Sequence, residues 1–326
     1  MRKSLFALPV AALALGLVGA APAQADDSNS PGHTGPGHGG VSGSAPVGVT
    51  PVKNTPSNAK STFFAVQLSG AQEVPVAGGP AVADPQGKAI ALVRIKGDRV
   101  SFSATWKGIE APSLGHIHEG KAGVNGPVKV ALFGTALPKT ATAAAGATTI
   151  TDAKLANTIR SNPKGFYVNL HTAEFPGGAV RGQLTRLNKP VDILSVVKGG
   201  GFRALLDADQ EVPAANGAAT GDKDGHAVSF IRTKNTTVEY SLAWVGISAP
   251  TLGHLHQGNA GVNGEVRVPL FAEPVPATIF ALSGTVANQD PKVTQTIRTN
   301  PKGFYVNLHT AEFPGGAVRG QLFRKR

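Results

Sequence analysis

Residues 162–184 read NPKGFYVNLHTAEFPGGAVRGQL, and residues 300–322 repeat this stretch letter for letter. A second pair of segments, LGHIHEGKAGVNGPV from Leu114 and LGHLHQGNAGVNGEV from Leu252, lies at the same separation of 138 residues (252 minus 114). This period is far longer than that of solenoid repeats, so each copy is expected to be a complete domain. The chain is therefore predicted to contain two tandem domains of the same fold.

Apolar residues alternate with other residues inside each copy. Every second residue from Val100 to Trp106 is apolar, and the same holds from Val238 to Trp244. A period of two is typical of half-buried antiparallel strands, and turn-forming clusters separate further candidate strands at the spacing of a β-sandwich. Residues 152–161, which follow Thr151 as a predicted N-cap, have the pattern of a short helix, with a counterpart near residues 291–299. We therefore predict an all-β fold of two tandem antiparallel β-sandwich domains, each with one short helix.

Composition divides the chain into five segments. Residues 1–25 have a basic start, an apolar run and a small-residue cleavage site, which are typical of a signal peptide. The region that follows is rich in Gly, Pro and Ser and is predicted to be disordered. The predicted segments are a signal peptide at 1–25, a leader at 26–60, a first domain at 61–187, a linker at 188–198 and a second domain at 199–326.

Charge and cysteine content exclude several classes of function. The chain has no cysteine, so neither disulfides nor thiolate chemistry is available to it. Removal of Arg2 and Lys3 with the signal peptide lowers the formal charge from +11 to +9. This positive charge is diffuse and favours an anionic envelope polymer or an acidic extracellular protein as partner, whereas no basic stripe with aromatic residues indicates nucleic-acid binding. No membrane span is predicted in the mature chain.

Three histidines recur at equal offsets in the two copies: His116, His118 and His171 in the first, and His254, His256 and His309 in the second. His116 and His118 are two residues apart on a predicted strand, so both rings leave the same face of the sheet. His171 shares a face with Tyr167 and Asn169 on another strand. If these strands are adjacent, the imidazoles form a site for copper or zinc with a fourth position for water, a carboxylate or a substrate. Ring nitrogens within about 3 to 4.5 Å would support this site, and separations beyond about 8 Å would exclude it.

Other polar residues also recur beside the histidines. Glu174 and Glu312 each lie three residues after a histidine and are candidates for an additional ligand. Arg181 is expected to pair with Glu174 across a hairpin. The predicted structural polar cluster consists of Asn169 and Arg181 in the first copy and Asn307 and Arg319 in the second. Two interpretations stay open, because hydrogen-bonded histidines can either bind a metal or small ligand or simply fix the hairpin.

Catalysis is the less favoured hypothesis, and no catalytic residue is predicted. The paired core serines, Ser103 and Ser241, lie on the strand face opposite to the apolar residues, so no serine triad is indicated. Glycosidase chemistry needs two carboxylates across a cleft, and only Glu174 lies near the motifs. Glycines at 120, 123 and 126 do not have the spacing of a phosphate-binding loop.

The segments HIHEGKAGVNGPV and YVNLHTAEFPGGAVRGQL, in this order and with a short helix between them, resemble the CHRD domain, a module named from chordin and also found in exported bacterial proteins. The resemblance covers both repeats and implies a β-sandwich of immunoglobulin-like or superoxide-dismutase-like character, with little implied chemistry. A weaker likeness to copper-zinc superoxide dismutases rests on an H-x-H strand and a late G-G-x-x-x-G strand. The chain lacks the His-rich zinc loop and the cysteine pair of those enzymes, so it does not support their two-metal site.

These observations predict a secreted protein at the exterior of the cell envelope. Its expected role is that of a non-catalytic binding or structural module, with one copper or zinc ion held by three histidines in each domain. The alternative hypothesis is a copper-dependent redox enzyme of the superoxide dismutase type.

Overall fold

The computed structural model describes residues 59–213 and 215–324. The predicted signal peptide and nearly all of the predicted leader lie outside these residues. Nine strands belong to the first repeat: β1 Ser61–Ser69, β2 Lys88–Lys96, β3 Arg99–Lys107, β4 Leu114–Glu119, β5 Val128–Phe133, β6 Ala141–Thr149, β7 Phe166–His171, β8 Val180–Gln183 and β9 Thr185–Leu187. Nine belong to the second: β10 Phe202–Asp207, β11 His226–Lys234, β12 Thr237–Val245, β13 Leu252–Gln257, β14 Glu265–Phe271, β15 Ile279–Val286, β16 Phe304–His309, β17 Val318–Gln321 and β18 Phe323–Arg324.

The strands of the first repeat form two rows of antiparallel pairs. One row is β9-β1-β2-β3-β6 and the other is β5-β4-β7-β8. The rows meet where Ser69 of β1 pairs with Arg181 of β8. In the second repeat the equivalent contact joins Asp207 of β10 to Arg319 of β17. The predicted all-β fold of two tandem antiparallel domains is therefore confirmed.

The alternating apolar residues form the core between the two rows. Val100 and Phe102 of β3 are 0% and 2% exposed, and Trp106 on the same face is 9% exposed. Phe102 lies beside Val93 of the neighbouring strand β2, which is also fully buried. Burial of each such side chain contributes roughly 1.5 to 3 kcal/mol, so the period-two pattern fixes which face of the strand turns inward.

Each repeat contains one short helix between its sixth and seventh strands. Helix α1 spans Ala153–Ser161 and helix α2 spans Pro291–Thr299. The N-cap is Asp152, whose side chain accepts a hydrogen bond from the backbone N–H of Lys154, so the prediction of Thr151 as the cap was one residue off. Within the described residues, no helix is long and apolar enough to cross a membrane.

Strand β6 joins the two repeats. It is rich in alanine, a residue of low β-propensity, and shows no apolar alternation, so the sequence pattern does not predict it. It pairs with β3 of its own repeat on one side and with β15 of the second repeat on the other. Ala144 of β6 lies opposite Leu282 of β15, its own equivalent at the offset of 138 residues (282 minus 144).

Side-chain contacts across the junction of β6 and β15 are related by a local two-fold symmetry. Thr140 Oγ1 donates a hydrogen bond of 2.6 Å to the carbonyl of Leu270. Thr278, the equivalent of Thr140, donates one of 2.7 Å to the carbonyl of Leu132, the equivalent of Leu270. One contact made in both directions is the property of an isologous interface, as in a two-fold symmetric dimer.

The predicted linker is packed against this junction. A 3₁₀ turn at Ile193–Val196 is capped by Asp192, and its two buried residues, Ile193 and Val196, contact alanines of β6 and β15. Ser283 Oγ donates a hydrogen bond of 2.6 Å to the carbonyl of Val196. The outer face of the shared sheet is therefore covered here, which explains why Ser241 is 4% exposed although its strand pattern predicts a polar outer face.

Candidate metal centre

The pairing of β4 with β7 brings the three histidines of the first repeat together. In the register of these strands, His116 lies opposite Asn169 and His118 lies opposite Tyr167. Because side chains alternate along a strand, Tyr167, Asn169 and His171 of β7 lie on the same face of the sheet as His116 and His118. One ring nitrogen from each histidine lies within 4.8 Å of the others, in both repeats. We call His116, His118 and His171 the first triad, and His254, His256 and His309 the second triad.

The shortest contact in each triad joins two ring nitrogens. His116 Nδ1 lies 3.4 Å from His171 Nε2, and His254 Nδ1 lies 3.2 Å from His309 Nε2. Two nitrogens that bind one tetrahedral ion at about 2.0 Å are roughly 3.3 Å apart, so these pairs are already at ligand spacing. The remaining separations in each triad stay within 4.8 Å, far below the distance of about 8 Å that would exclude a shared ion.

Backbone carbonyls determine which ring nitrogen carries the proton in two of the three histidines. His118 Nδ1 donates to the carbonyl of Gly126 at 2.9 Å, and His171 Nδ1 donates to the carbonyl of Pro176 at 2.9 Å. Because a carbonyl oxygen can only accept, both rings hold their proton on Nδ1 when neutral. The lone pair of His118 Nε2 is then available to a ligand, and that of His171 Nε2 faces His116 Nδ1 at 3.4 Å. The second triad has the same bonds, from His256 to Gly264 at 2.9 Å and from His309 to Pro314 at 3.0 Å.

One nitrogen in each triad is buried without a hydrogen-bond partner. This atom is Nε2 of His118 in the first repeat and Nε2 of His256 in the second. Buried polar atoms are nearly always paired, so an unpaired lone pair inside a group of histidines indicates a missing electrophilic partner. A proton, a water molecule or a metal ion could supply it.

Burial keeps the imidazoles neutral. It lowers the pKa of His116 to about 4, with further contributions from His171 and His118. Burial also lowers the pKa of His118 and His171, although the Gly126 and Pro176 carbonyls oppose the effect. A lowered imidazole pKa means that the ring is uncharged at neutral pH, which is the protonation state that binds metal. The second triad has the same shifts, with the pKa of His254 at about 4.

Arg181 of β8 forms hydrogen bonds and a ring contact that the sequence does not predict. It is 1% exposed and donates to Asn125 Oδ1 at 2.9 Å, and to the carbonyls of Lys121 and Val124 at 3.1 and 2.7 Å. Its guanidinium carbon lies 3.4 Å from the centroid of the Tyr167 ring. Asn169, the other predicted member of the polar cluster, is likewise buried.

The predicted role of Glu174 does not agree with this arrangement. Glu174 is exposed, forms no ion pair with Arg181 and is not among the donor atoms of the triad. Glu312 is also exposed and lies outside the second triad. The reason is that Arg181 turns inward against Tyr167, whereas residues 173 and 174 form the exposed part of the turn. Among the described residues, both candidate donor groups consist of histidine alone.

The carboxylate that does lie near Arg181 is Glu73. Its Oε2 accepts from Asn169 Nδ2 at 3.4 Å, and burial raises its pKa to about 7 although the charge of Arg181 opposes this. Glu73 Oε1 and Asn169 Oδ1 are both buried without a partner. Glu211 and Asn307 repeat this arrangement, again with a pKa of about 7 for the carboxyl group. Glu73 and Glu211 share the 138-residue offset (211 minus 73), which marks them as a recurring pair but does not place them beside the two arginines.

Three neutral imidazoles can bind copper or zinc, because both metals accept nitrogen donors in this number. Neither triad includes a carboxylate that would favour magnesium or calcium.

Comparison with protein families identifies the CHRD domain twice, at residues 64–184 and 202–322. Because these matches cover most of the chain, the protein belongs to the CHRD domain family. The resemblance predicted from the histidine and glycine motifs is thus confirmed for both copies. A search of curated proteins found no match.

Proposed function

We propose that each CHRD domain of this chain binds one copper or zinc ion through its triad, and that the protein is a secreted, non-catalytic metal-binding module. The observation that carries the proposal is the buried Nε2 of His118 and of His256, which has no hydrogen-bond partner while Nδ1 of the same ring is held by a carbonyl. A purely structural histidine would use both nitrogens or expose one to water.

The second support is the duplication of the geometry. The short contacts of 3.4 and 3.2 Å, the two carbonyl bonds and the lowered pKa values occur in both repeats. The diffuse positive charge of the chain also suits an anionic polymer of the cell envelope, or an acidic extracellular protein, as partner.

The direct test is metal stoichiometry in the purified mature chain. Loading with copper or zinc, followed by desalting and elemental analysis, is expected to give about two ions per chain. The His118→Ala variant is expected to retain about one, because only the first triad is disrupted. His226 is the matched control, since it is exposed and belongs to neither triad, so His226→Ala should keep two. Retention below about 0.2 ions per domain would overturn the proposal and leave a structural cluster.

A copper-dependent redox enzyme is the second candidate, and the observation in its favour is that each donor group consists of three nitrogens, a number that leaves a fourth ligand position for a substrate. Superoxide consumption by the copper-loaded chain would be compared with that of the His118→Ala, His256→Ala variant. Turnover no higher than that of the variant would exclude this activity while leaving metal binding intact.

A further inference from the structure

The loop that contains the carbonyl partner of His118 is anchored by a buried arginine. We define the glycine loop as residues 120–127 in the first repeat, with residues 258–265 as its equivalent. Arg181 donates three hydrogen bonds into this loop, to Lys121, Val124 and Asn125. No carboxylate forms an ion pair with Arg181 in the described part of the chain. Burial of a guanidinium without a close ion pair is unfavourable, so the hydrogen bonds to the loop, the contact with the Tyr167 ring and the charge of Glu73 together offset the cost.

One residue of the glycine loop, Gly126, forms a hydrogen bond with the His118 ring. The carbonyl of Gly126 accepts from His118 Nδ1 at 2.9 Å, and its N–H donates to the Tyr167 hydroxyl at 3.2 Å. A Cβ on Gly126 would lie 1.6 Å from the carbonyl oxygen of Glu119, so only glycine permits this approach. Any shift of the loop would therefore move the atom that holds the proton on Nδ1.

Tyr167 connects the same two groups by a second route. His118 stacks on the Tyr167 ring with a centroid distance of 4.8 Å and an interplanar angle of 9°. Arg181 lies 3.4 Å from the centroid of this ring. On the shared sheet face, β7 lies between β4 and β8, so Tyr167 is placed between His118 and Arg181. The planar guanidinium thus fixes both the ring against which His118 packs and the loop to which His118 binds.

The second repeat preserves these contacts where the loop sequence has changed. Arg319 donates to the carbonyls of Asn259 and Val262 at 3.0 and 2.8 Å, and to Asn263 Oδ1 at 3.2 Å. Asn259 replaces Lys121, but the arginine uses the backbone carbonyl, so the substitution leaves the bond intact. The ring of Tyr305 lies 3.5 Å from the guanidinium carbon of Arg319.

From this geometry we infer that Arg181 and Arg319 are positioning residues, which hold the glycine loop so that His118 and His256 keep the proton on Nδ1 and present Nε2 to the ligand. The effect on metal affinity rests on the proposed function. The effect on the tautomer does not, because it concerns the metal-free protein alone.

The test uses the Arg181→Lys variant of the mature chain. Lysine keeps the charge but lacks the planar fork, so it cannot hold three loop acceptors and lie flat on Tyr167 together. Imidazole nitrogen NMR of the metal-free protein should show one Nδ1–H tautomer for His118 in the wild type and a mixture in the variant. In a His309→Ala background, which leaves only the first triad, the dissociation constant for zinc should rise by about 10-fold or more.

Arg186→Lys is the matched control, since Arg186 is exposed on β9 and donates only to the carbonyl of Arg160. It should change neither the tautomer nor the zinc affinity. The inference is overturned if Arg181→Lys folds, retains the single Nδ1–H tautomer and binds zinc within two-fold of the parent. If Arg181→Lys does not fold, Asn125→Ala removes one loop acceptor of Arg181, and an unchanged His118 tautomer there overturns the inference as well.

The outcomes separate the two proposals. A tautomer mixture in Arg181→Lys, together with a wild type that retains no metal, supports the positioning role and rejects metal binding. Zinc binding by the wild type, with an unchanged tautomer and affinity in Arg181→Lys, supports metal binding and rejects the positioning role.

Discussion

Metal binding to one triad should stabilise the whole pair of repeats rather than one repeat. The reason is the shared sheet: β6 pairs with β15, Thr140 and Thr278 cross the junction, and the linker turn at Ile193–Val196 covers it. If these contacts make unfolding of the two repeats a single cooperative step, the free energy of metal binding at either site stabilises both repeats against that one unfolding transition.

The size of the effect follows from linkage. Free zinc at 100 times the dissociation constant stabilises by about 2.7 kcal/mol per site, and by about 5.4 kcal/mol for two sites. Unfolding entropy of about 2.1 cal/mol/K per residue gives about 0.56 kcal/mol/K for a unit of roughly 265 residues. The wild type should therefore gain about 10 °C in melting temperature. The His309→Ala variant, with one intact triad, should gain about 5 °C relative to its own metal-free form.

Differential scanning calorimetry with and without zinc distinguishes the alternatives. Cooperative repeats give one peak that moves in the His309→Ala variant. Independent repeats of about 130 residues would give two peaks, of which one moves by about 10 °C and the other stays in place. Two such peaks would refute the coupling through β6 and β15, and a peak that zinc does not move in the wild type would refute the metal site. The His226→Ala control should retain the full wild-type shift.

Three further predictions concern stability in the metal-free chain, each measured by urea unfolding. Thr140→Val should lower the free energy of unfolding by about 1 to 3 kcal/mol, because it removes the hydrogen bond to the Leu270 carbonyl across the junction. A loss below about 0.5 kcal/mol would contradict this. Burial raises the pKa of Glu73 to about 7, so the folded state favours the protonated carboxyl group. The free energy of unfolding of the wild type should therefore fall, relative to that of Glu73→Gln, by roughly 1 to 3 kcal/mol as the pH rises from about 4.5 to 7. Parallel pH profiles of the two proteins would argue against it. Gly178→Ala should lower the free energy of unfolding by about 2 to 4 kcal/mol, because Gly178 has a φ of +137° and an added Cβ would lie 2.7 Å from Glu73 Oε1. Its control is Gly134→Ala, whose Cβ would enter open space and whose stability should stay within about 0.5 kcal/mol of wild type.

The histidine site could be predicted because it depends on local rules. A spacing of two residues places His116 and His118 on one face of a strand, and the repeat provides an internal test of each candidate. The same rules predict the shared face of Tyr167, Asn169 and His171. What the sequence left open was whether β4 and β7 are neighbours, since strand order depends on long-range packing.

Other features could not be predicted, because they depend on contacts between distant segments. Strand β6 is stabilised by neighbours on both sides, which compensates for the weak β-propensity of alanine. Arg181 was predicted to pair with Glu174, the nearest charge along the hairpin, but it lies in register with Asn169 and turns towards Tyr167 and the glycine loop. Glu73 is distant in sequence from all three histidines, so its burial near Arg181 was not visible from spacing alone.

The identity of residues 162–184 and 300–322 is now open to a physical explanation. Recent duplication alone does not account for it, because other segments of the same age have diverged: β6 reads ATAAAGATT, whereas its counterpart β15 reads IFALSGTV. The identical stretch supplies three side chains of the site, namely the third histidine of the triad, the tyrosine on which a histidine stacks and the planar arginine. The glycine loop acts mainly through backbone carbonyls and has accepted Asn259 for Lys121 and Glu265 for Pro127. Sequence identity between the repeats is thus strict where side chains set the orientation of the imidazoles, and relaxed where the backbone does so.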